Sequence, residues 1–123
     1  MRVLVVEDEQ QVREEFIEFL ELRGFDVTAA CGVSSAFARV KDLKEPTILL
    51  TDLRLPDGSG LDIIRAIQRD HELGAMIVRT IVMTGHTDIT EQLERAVDGH
   101  TVTTLFKPLD LMRLLTLLAE PVT

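Results

Sequence analysis

The stretch Thr47-Ile48-Leu49-Leu50-Thr51-Asp52-Leu53-Arg54-Leu55-Pro56-Asp57-Gly58 decides the fold. Its apolar run reads as a buried strand, and the strand stops at a carboxylate, Asp52. A turn follows at once, because Pro56 pre-sets one backbone angle and Gly58 suits the fourth turn position. An acid at the carboxyl end of a central strand points into the crevice where open α/β sheets place their ligands. Neither strand packing nor the turn needs Asp52, since Asp57 already serves the turn. Asp52 is therefore the first candidate for chemistry.

Outward from that strand, the chain alternates. Val3 to Val6 is a short apolar run suited to a strand buried on both faces. Glu7-Asp8-Glu9-Gln10-Gln11 begins a helix to about Arg23, with Val12, Phe16, Phe19 and Leu20 on one face and Gly24 at its end. A strand from Phe25 to Ala30 and a helix near Ser34 to Leu43, closed by Pro46, lead into the Asp52 strand. Ser59 with Asp62 forms a capping box before a helix bearing Leu61, Ile64 and Ile67. Arg79 to Met83 is the fourth strand, Asp88 with Glu91 opens a fourth helix, Thr101 to Phe106 is the fifth strand, and Leu109 to Ala119 the last helix. Five strand–helix alternations require crossovers, hence an α/β fold with a parallel sheet covered on both faces. Right-handed crossovers in a short chain favour a flavodoxin-like, doubly wound five-stranded sheet of order 2-1-3-4-5 with five helices.

Composition agrees with one domain, expected over residues 1–120, with 121–123 a tail or the start of a linker. The 123 residues are enough for an ordinary core, which should be mostly aliphatic with five Phe and no Tyr or Trp. A net charge of −8 argues against nucleic-acid binding by this domain alone, because phosphate backbones need a basic surface. A single cysteine, Cys31, excludes an internal disulfide and reads as a small packing residue. No apolar run approaches the roughly 18 residues of a membrane span. The amino terminus enters the first strand without a signal-type apolar segment, so a cytoplasmic location and no membrane partner are expected.

In a parallel sheet the carboxyl ends of all strands share one edge. Glu7 and Asp8 follow the first strand, Asp52 ends the third, Thr84 follows the fourth and Lys107 the fifth. The expected strand order brings Asp8, Asp52 and Thr84 together, with Lys107 beside them. Three acids, a hydroxyl and a lysine suit a hard cation plus a phosphoryl group: carboxylate oxygens hold Mg²⁺, while lysine and threonine orient phosphoryl oxygens. The plainer readings are an N-cap for Asp8, a strand-end hydroxyl for Thr84 and a solvated lysine for Lys107.

Glu7-Asp8, Asp52 before Leu55-Pro56-Asp57-Gly58, Met83-Thr84-Gly85 and Phe106-Lys107-Pro108 together resemble the motif set of bacterial response-regulator receiver domains, over essentially the whole chain. The resemblance implies that Asp52 is the phospho-acceptor and that the donor is a sensor histidine kinase or phosphotransfer protein. It implies Mg²⁺ held by Asp8 and Asp52, with Glu7 acting largely through water and the Arg54 backbone carbonyl completing the set. Thr84 would bond the phosphoryl group, Lys107 would pair with it, and the Lys107–Pro108 bond would be cis. Such a domain is a regulator that catalyses its own phosphorylation and dephosphorylation, relaying its state through the fourth helix, fifth strand and fifth helix. Arg54 and His86, two positions beyond Asp52 and Thr84, would tune phosphoryl lifetime, whereas His71 and His100 read as surface.

Two positions depart from the family pattern. Thr104 stands where an aromatic rotamer switch is usual, and Gly85 where a side chain is usual. Thr104 keeps an alternative in view, a degenerate receiver acting as a phosphate-independent protein-binding module. A Mg²⁺-dependent aspartyl phosphatase is disfavoured, because its motif needs a second aspartate where Arg54 stands. The last helix carries Leu109, Leu111, Leu114, Leu115, Leu117 and Leu118. Either these are all packed, or the last two helices and last strand present a homodimer or partner face.

Overall fold

The computed structural model describes residues 1–85, 93–95 and 102–120. In chain order the elements are β1 (Arg2–Val6), α1 (Gln10–Glu21), β2 (Asp26–Ala30), α2 (Val33–Lys41), β3 (Thr47–Asp52), β4 (Arg54–Leu55), β5 (Gly58–Ser59), α3 (Gly60–Arg69), β6 (Ile77–Thr84), α4 (helical at 93–95), β7 (Val102–Phe106) and α5 (Leu111–Ala119). The main sheet is parallel, in the order β2-β1-β3-β6-β7. Since β4 and β5 form a separate two-residue hairpin, β6 and β7 are the fourth and fifth strands of the sequence reading, and the expected order holds.

The apolar runs explain the layering. All six residues of β3 are buried, as are Val3 to Val6, so both strands pack on both faces. One layer joins Val3, Val5, Ile48 and Leu50 to α1 and α5 through Phe16, Leu20, Leu114 and Leu117. The opposite layer joins Leu4, Val6 and Leu49 to α2 and α3 through Ala36, Val40 and Ile63. Each fully buried Val, Leu or Ile side chain among them contributes about 1.5–3 kcal/mol of transfer free energy.

Several element ends differ from the sequence expectation, each for a local reason. Helix α1 starts at Gln10 rather than Glu7, with Glu9 at its N-cap, so Asp8 does not cap it. Glu7 has instead turned inward, and its Oε1 accepts the Glu9 N–H at 3.2 Å. Helix α2 stops at Lys41, before Pro46 can act. Helix α5 starts at Leu111, not Leu109, because Asp110 Oδ1 accepts from the N–H groups of Met112 and Arg113. Strand β6 runs from Ile77 to Thr84, longer than expected, since Ile77 still pairs with Thr47 across a register shift. The β4–β5 hairpin was not expected. Cys31 is exposed, past the end of β2, instead of packed.

Other expectations stand. Gly24 takes a φ of 87° and ends α1, and Ser59 caps α3, accepting from Leu61 N–H while Asp62 accepts from Ser59 N–H. The Lys107–Pro108 peptide is cis. His71 is exposed, whereas His86, His100, most of the fourth helix and residues 121–123 lie outside the described residues. Leu114, Leu117 and Leu118 of α5 are buried, but Leu111 and Met112 are exposed, so that helix has apolar surface left over. No helix among the described residues is long and apolar enough to cross a membrane.

Candidate phospho-acceptor site

The register ladders place the candidate residues. Asp52 is the last residue of β3 and pairs with Met83, so Thr84 lies one step beyond it on β6, and Thr84 in turn pairs with Phe106. The Lys107 N–H donates to the Thr84 carbonyl at 2.9 Å, which carries the lysine past the end of β7 to the same edge. There its Nζ donates to Asp52 Oδ2 at 2.9 Å. The Asp52 side chain is 8% exposed and that of Lys107 45%, so the ammonium reaches inward from solvent to a buried carboxylate.

Glu7, Asp8 and Asp52 each offer a carboxylate oxygen, and these oxygens lie within 4.8 Å of one another. Asp8 is exposed; Glu7 is buried. Burial pushes the Glu7 carboxyl up to about 7, aided by the negative charge of Asp52 and a hydrogen bond shared with it, and opposed by the Glu9 amide and the Lys107 ammonium. One cation among three carboxylates leaves the cluster under-neutralised, and all its donors are oxygens. A hard divalent ion fits this arrangement.

The sequence reading brings Asp8, Asp52 and Thr84 together with Lys107 beside them; the geometry gathers Asp8 and Asp52 with Glu7, and Lys107 reaches Asp52. Thr84 is buried at the adjoining ladder position, where its hydroxyl donates to the Gly85 carbonyl at 3.1 Å. The Arg54 side chain is exposed on β4. Arg13 is a residue the sequence reading missed: its guanidinium donates to the Glu7 carbonyl at 2.8 Å and the Asp8 carbonyl at 3.4 Å, anchoring the acidic loop from the first turn of α1. Its only sequence signal is position, six residues past Glu7. A groove of about 360 Å³ leads to Asp52 between α1 and the β7–α5 connection, with Phe16, Phe19, Met83, Leu109 and Leu111 among its apolar walls.

The acceptor backbone is closely packed. Gly60 N–H donates to the Leu53 carbonyl at 2.7 Å, and a Cβ at Gly60 would overlap the Asp52 carbonyl oxygen and meet Thr51 at 3.2 Å. Gly60→Ala should therefore lower the unfolding free energy by about 1–3 kcal/mol in urea denaturation. An unchanged midpoint would mean that the β3–α3 junction yields.

A family model described as the response regulator receiver domain matches residues 3–119. The chain belongs to this receiver-domain family. Among its relatives, the DNA-binding response regulator MtrA of Mycolicibacterium smegmatis is 32% identical over 111 residues, covering 90% of this chain and 47% of MtrA. The acid tolerance regulatory protein ActR of Rhizobium meliloti is 36% identical over 110 residues, covering 88% of this chain and 53% of ActR. The receiver domain described here thus spans about half the length of these two relatives. Among solved structures, a response regulator receiver protein from Pseudomonas putida shares 38% identity at a TM-score of 0.77, covering 95% of this chain and 93% of that one. As a receiver domain the chain is a regulatory unit of phosphorylation-based, two-component signalling, a class that works with histidine kinases or phosphotransfer proteins.

Proposed function

We propose that Asp52 accepts a phosphoryl group from a phosphohistidine of a sensor histidine kinase or phosphotransfer protein, and that the resulting acyl phosphate is the signalling state. The observation that carries this reading is the buried Asp52 carboxylate, paired with the Lys107 ammonium at 2.9 Å beside two further carboxylates. An Asp52 oxygen attacks phosphorus in line with the histidine nitrogen. The P–O bond forms, the P–N bond breaks, and the imidazole nitrogen leaves with the electron pair and takes up a proton. Lys107 offsets charge on the transferring oxygens, and the Thr84 hydroxyl, which donates to the Gly85 carbonyl, would turn to serve them. Mg²⁺ held by Glu7, Asp8, Asp52 and the Arg54 backbone carbonyl would supply further charge neutralisation and orientation. Water later hydrolyses the acyl phosphate and returns the carboxylate.

The donor approaches along the groove beside α1, because Asp52 forms part of that groove's wall. The state is relayed through α4, β7 and α5, where exposed Leu111 and Met112 offer apolar surface to a second copy or a target. The domain spans residues 1–120, works in the cytoplasm and contacts no nucleic acid by itself; with half-length coverage of relatives such as MtrA, DNA binding would belong to a further domain.

The test is incubation with a small acyl-phosphate donor, with and without Mg²⁺, followed by intact mass. A single acid-stable, base-labile phosphoryl adduct that forms only with Mg²⁺ is the expected result. A folded, Mg²⁺-binding protein that forms no adduct would transfer the reading to the phosphate-independent binding module suggested by Thr104.

A further inference from the structure

Gly32 at the N-cap of α2 has no side chain to accept from the first helical amides, and Ser35 Oγ accepts only from the N–H groups of Gly32 and Cys31 before them. The cap comes from the loop behind the acceptor, 24 and 23 residues away in sequence. The Val33 N–H donates to Asp57 Oδ1 at 2.7 Å, and the Ser34 N–H donates to Asp57 Oδ2 at 3.0 Å. Asp57 is expected to serve its own turn; its carboxylate is drawn to its own backbone amide, and both its oxygens also serve a distant helix. The Ser34 and Val33 amides hold its carboxyl below the usual carboxylate range.

The surroundings fit this contact closely. A Cβ at Gly32 would sit 2.6 Å from Asp57 Oδ1, in the space the carboxylate fills. Gly58, at φ 152°, lets the hairpin pass where a Cβ would meet Val33 Cγ2 at 3.1 Å and Asp62 Oδ2 at 2.8 Å. Leu55 packs against the cluster containing Val33 and Ala36. The base of the hairpin is fixed separately, by Leu53 N–H to the Met83 carbonyl, Gly60 N–H to the Leu53 carbonyl and Ser59 N–H to Asp62. Gly32 has φ and ψ of −172°, extended backbone that any residue adopts, so a local serine cap would be compatible with the start of α2.

We propose that Asp57 is a positioning residue that clasps the tip of the β4–β5 hairpin to the start of α2 and thereby fixes the Arg54 backbone two residues past the acceptor. Its effect on a metal rests on the phospho-acceptor reading above; its effect on the hairpin does not.

The experiment separates clasping from capping. Asp57→Ala removes both functions, while Asp57→Ala with Gly32→Ser returns a cap to α2 without returning the clasp. In the double variant the carboxylate that a residue-32 side chain would strike is gone. Amide hydrogen exchange at Arg54, Leu55 and Gly58 is read without metal, MgCl₂ affinity by calorimetry, and Tm by thermal melting. We expect Asp57→Ala to lower Tm, to speed exchange at the hairpin and to weaken Mg²⁺ binding, the last two by about tenfold. The double variant should recover Tm and leave exchange and Mg²⁺ affinity impaired. Recovery of all three would reduce Asp57 to a helix cap, and unchanged hairpin exchange in Asp57→Ala would remove the clasp altogether. If the unaltered chain binds no Mg²⁺ yet the exchange pattern holds, the acceptor-site reading fails and the clasp stands.

Discussion

Asp52→Asn is expected to form no phosphoryl adduct under conditions that modify the unaltered chain fully. The amide keeps the shape of the carboxylate and can still accept from Lys107 Nζ, and the backbone bonds around it, such as Leu53 N–H to the Met83 carbonyl, do not involve the side chain. The fold should therefore persist, and the loss is one of nucleophilicity: an amide oxygen does not displace a phosphoryl group as a carboxylate does. Lys107→Ala should behave differently. It leaves the nucleophile in place and removes one source of charge stabilisation, so adduct formation should slow by about 10²–10³-fold without vanishing. Time-resolved intact mass distinguishes the two outcomes. An Asp52→Asn chain that still gains a phosphoryl group would place the acceptor elsewhere.

The second large effect concerns pH. The folded protein holds a proton on Glu7 up to about 7, against an ordinary value of 4.5. Between those limits the folded state binds a proton that the unfolded chain releases. This group's contribution is thus fully present below the lower limit and is lost as pH rises through the upper one. The unfolding free energy of the metal-free protein should fall across that window by up to about 1.4 kcal/mol per pH unit. Asp57 acts in the opposite sense at acid pH, because its lowered carboxyl contributes stability that is lost as pH falls. Urea melts in a chelator at about pH 5.5 and about pH 7.5 should show the lower midpoint at the higher pH, and Glu7→Gln should remove most of that difference. A divalent cation favours the ionised carboxylate, so added MgCl₂ should stabilise the protein more at the higher pH. Equal midpoints for the unaltered chain at both pH values would contradict a Glu7 carboxyl raised by burial.

The layout of the fold was legible because two strands announce themselves. Val3 to Val6 and Ile48 to Leu50 are unbroken apolar runs, and helical spacing between them forces crossovers. Strand polarity then delivers Glu7, Asp8, Asp52 and Lys107 to one edge with no further information. Composition could not divide the labour within Glu7-Asp8-Glu9. Three adjacent acids look alike in sequence, yet Glu7 is buried and its neighbours are exposed, because one carboxylate turns inward toward the Glu9 amide. Asp57 was illegible for another reason: its partners lie 24 and 23 residues upstream, and only the folded sheet brings them together. The β4–β5 hairpin is too short for any periodicity to register.

Every residue of β3 is buried, and the strand is held on both sides by β1 and β6. A phosphoryl group on Asp52, as proposed above, would thus load the end of a strand that packing holds on every side, an anvil rather than a spring. Tightly packed interiors respond to added charge by switching between discrete arrangements, not by bending a little everywhere. On the reading proposed above, an extra dianion on Asp52 would be accommodated beyond the carboxyl edge rather than by a shift of β3 itself. One covalent event at a closely packed strand end would then become displacement at the surface, where another molecule can read it.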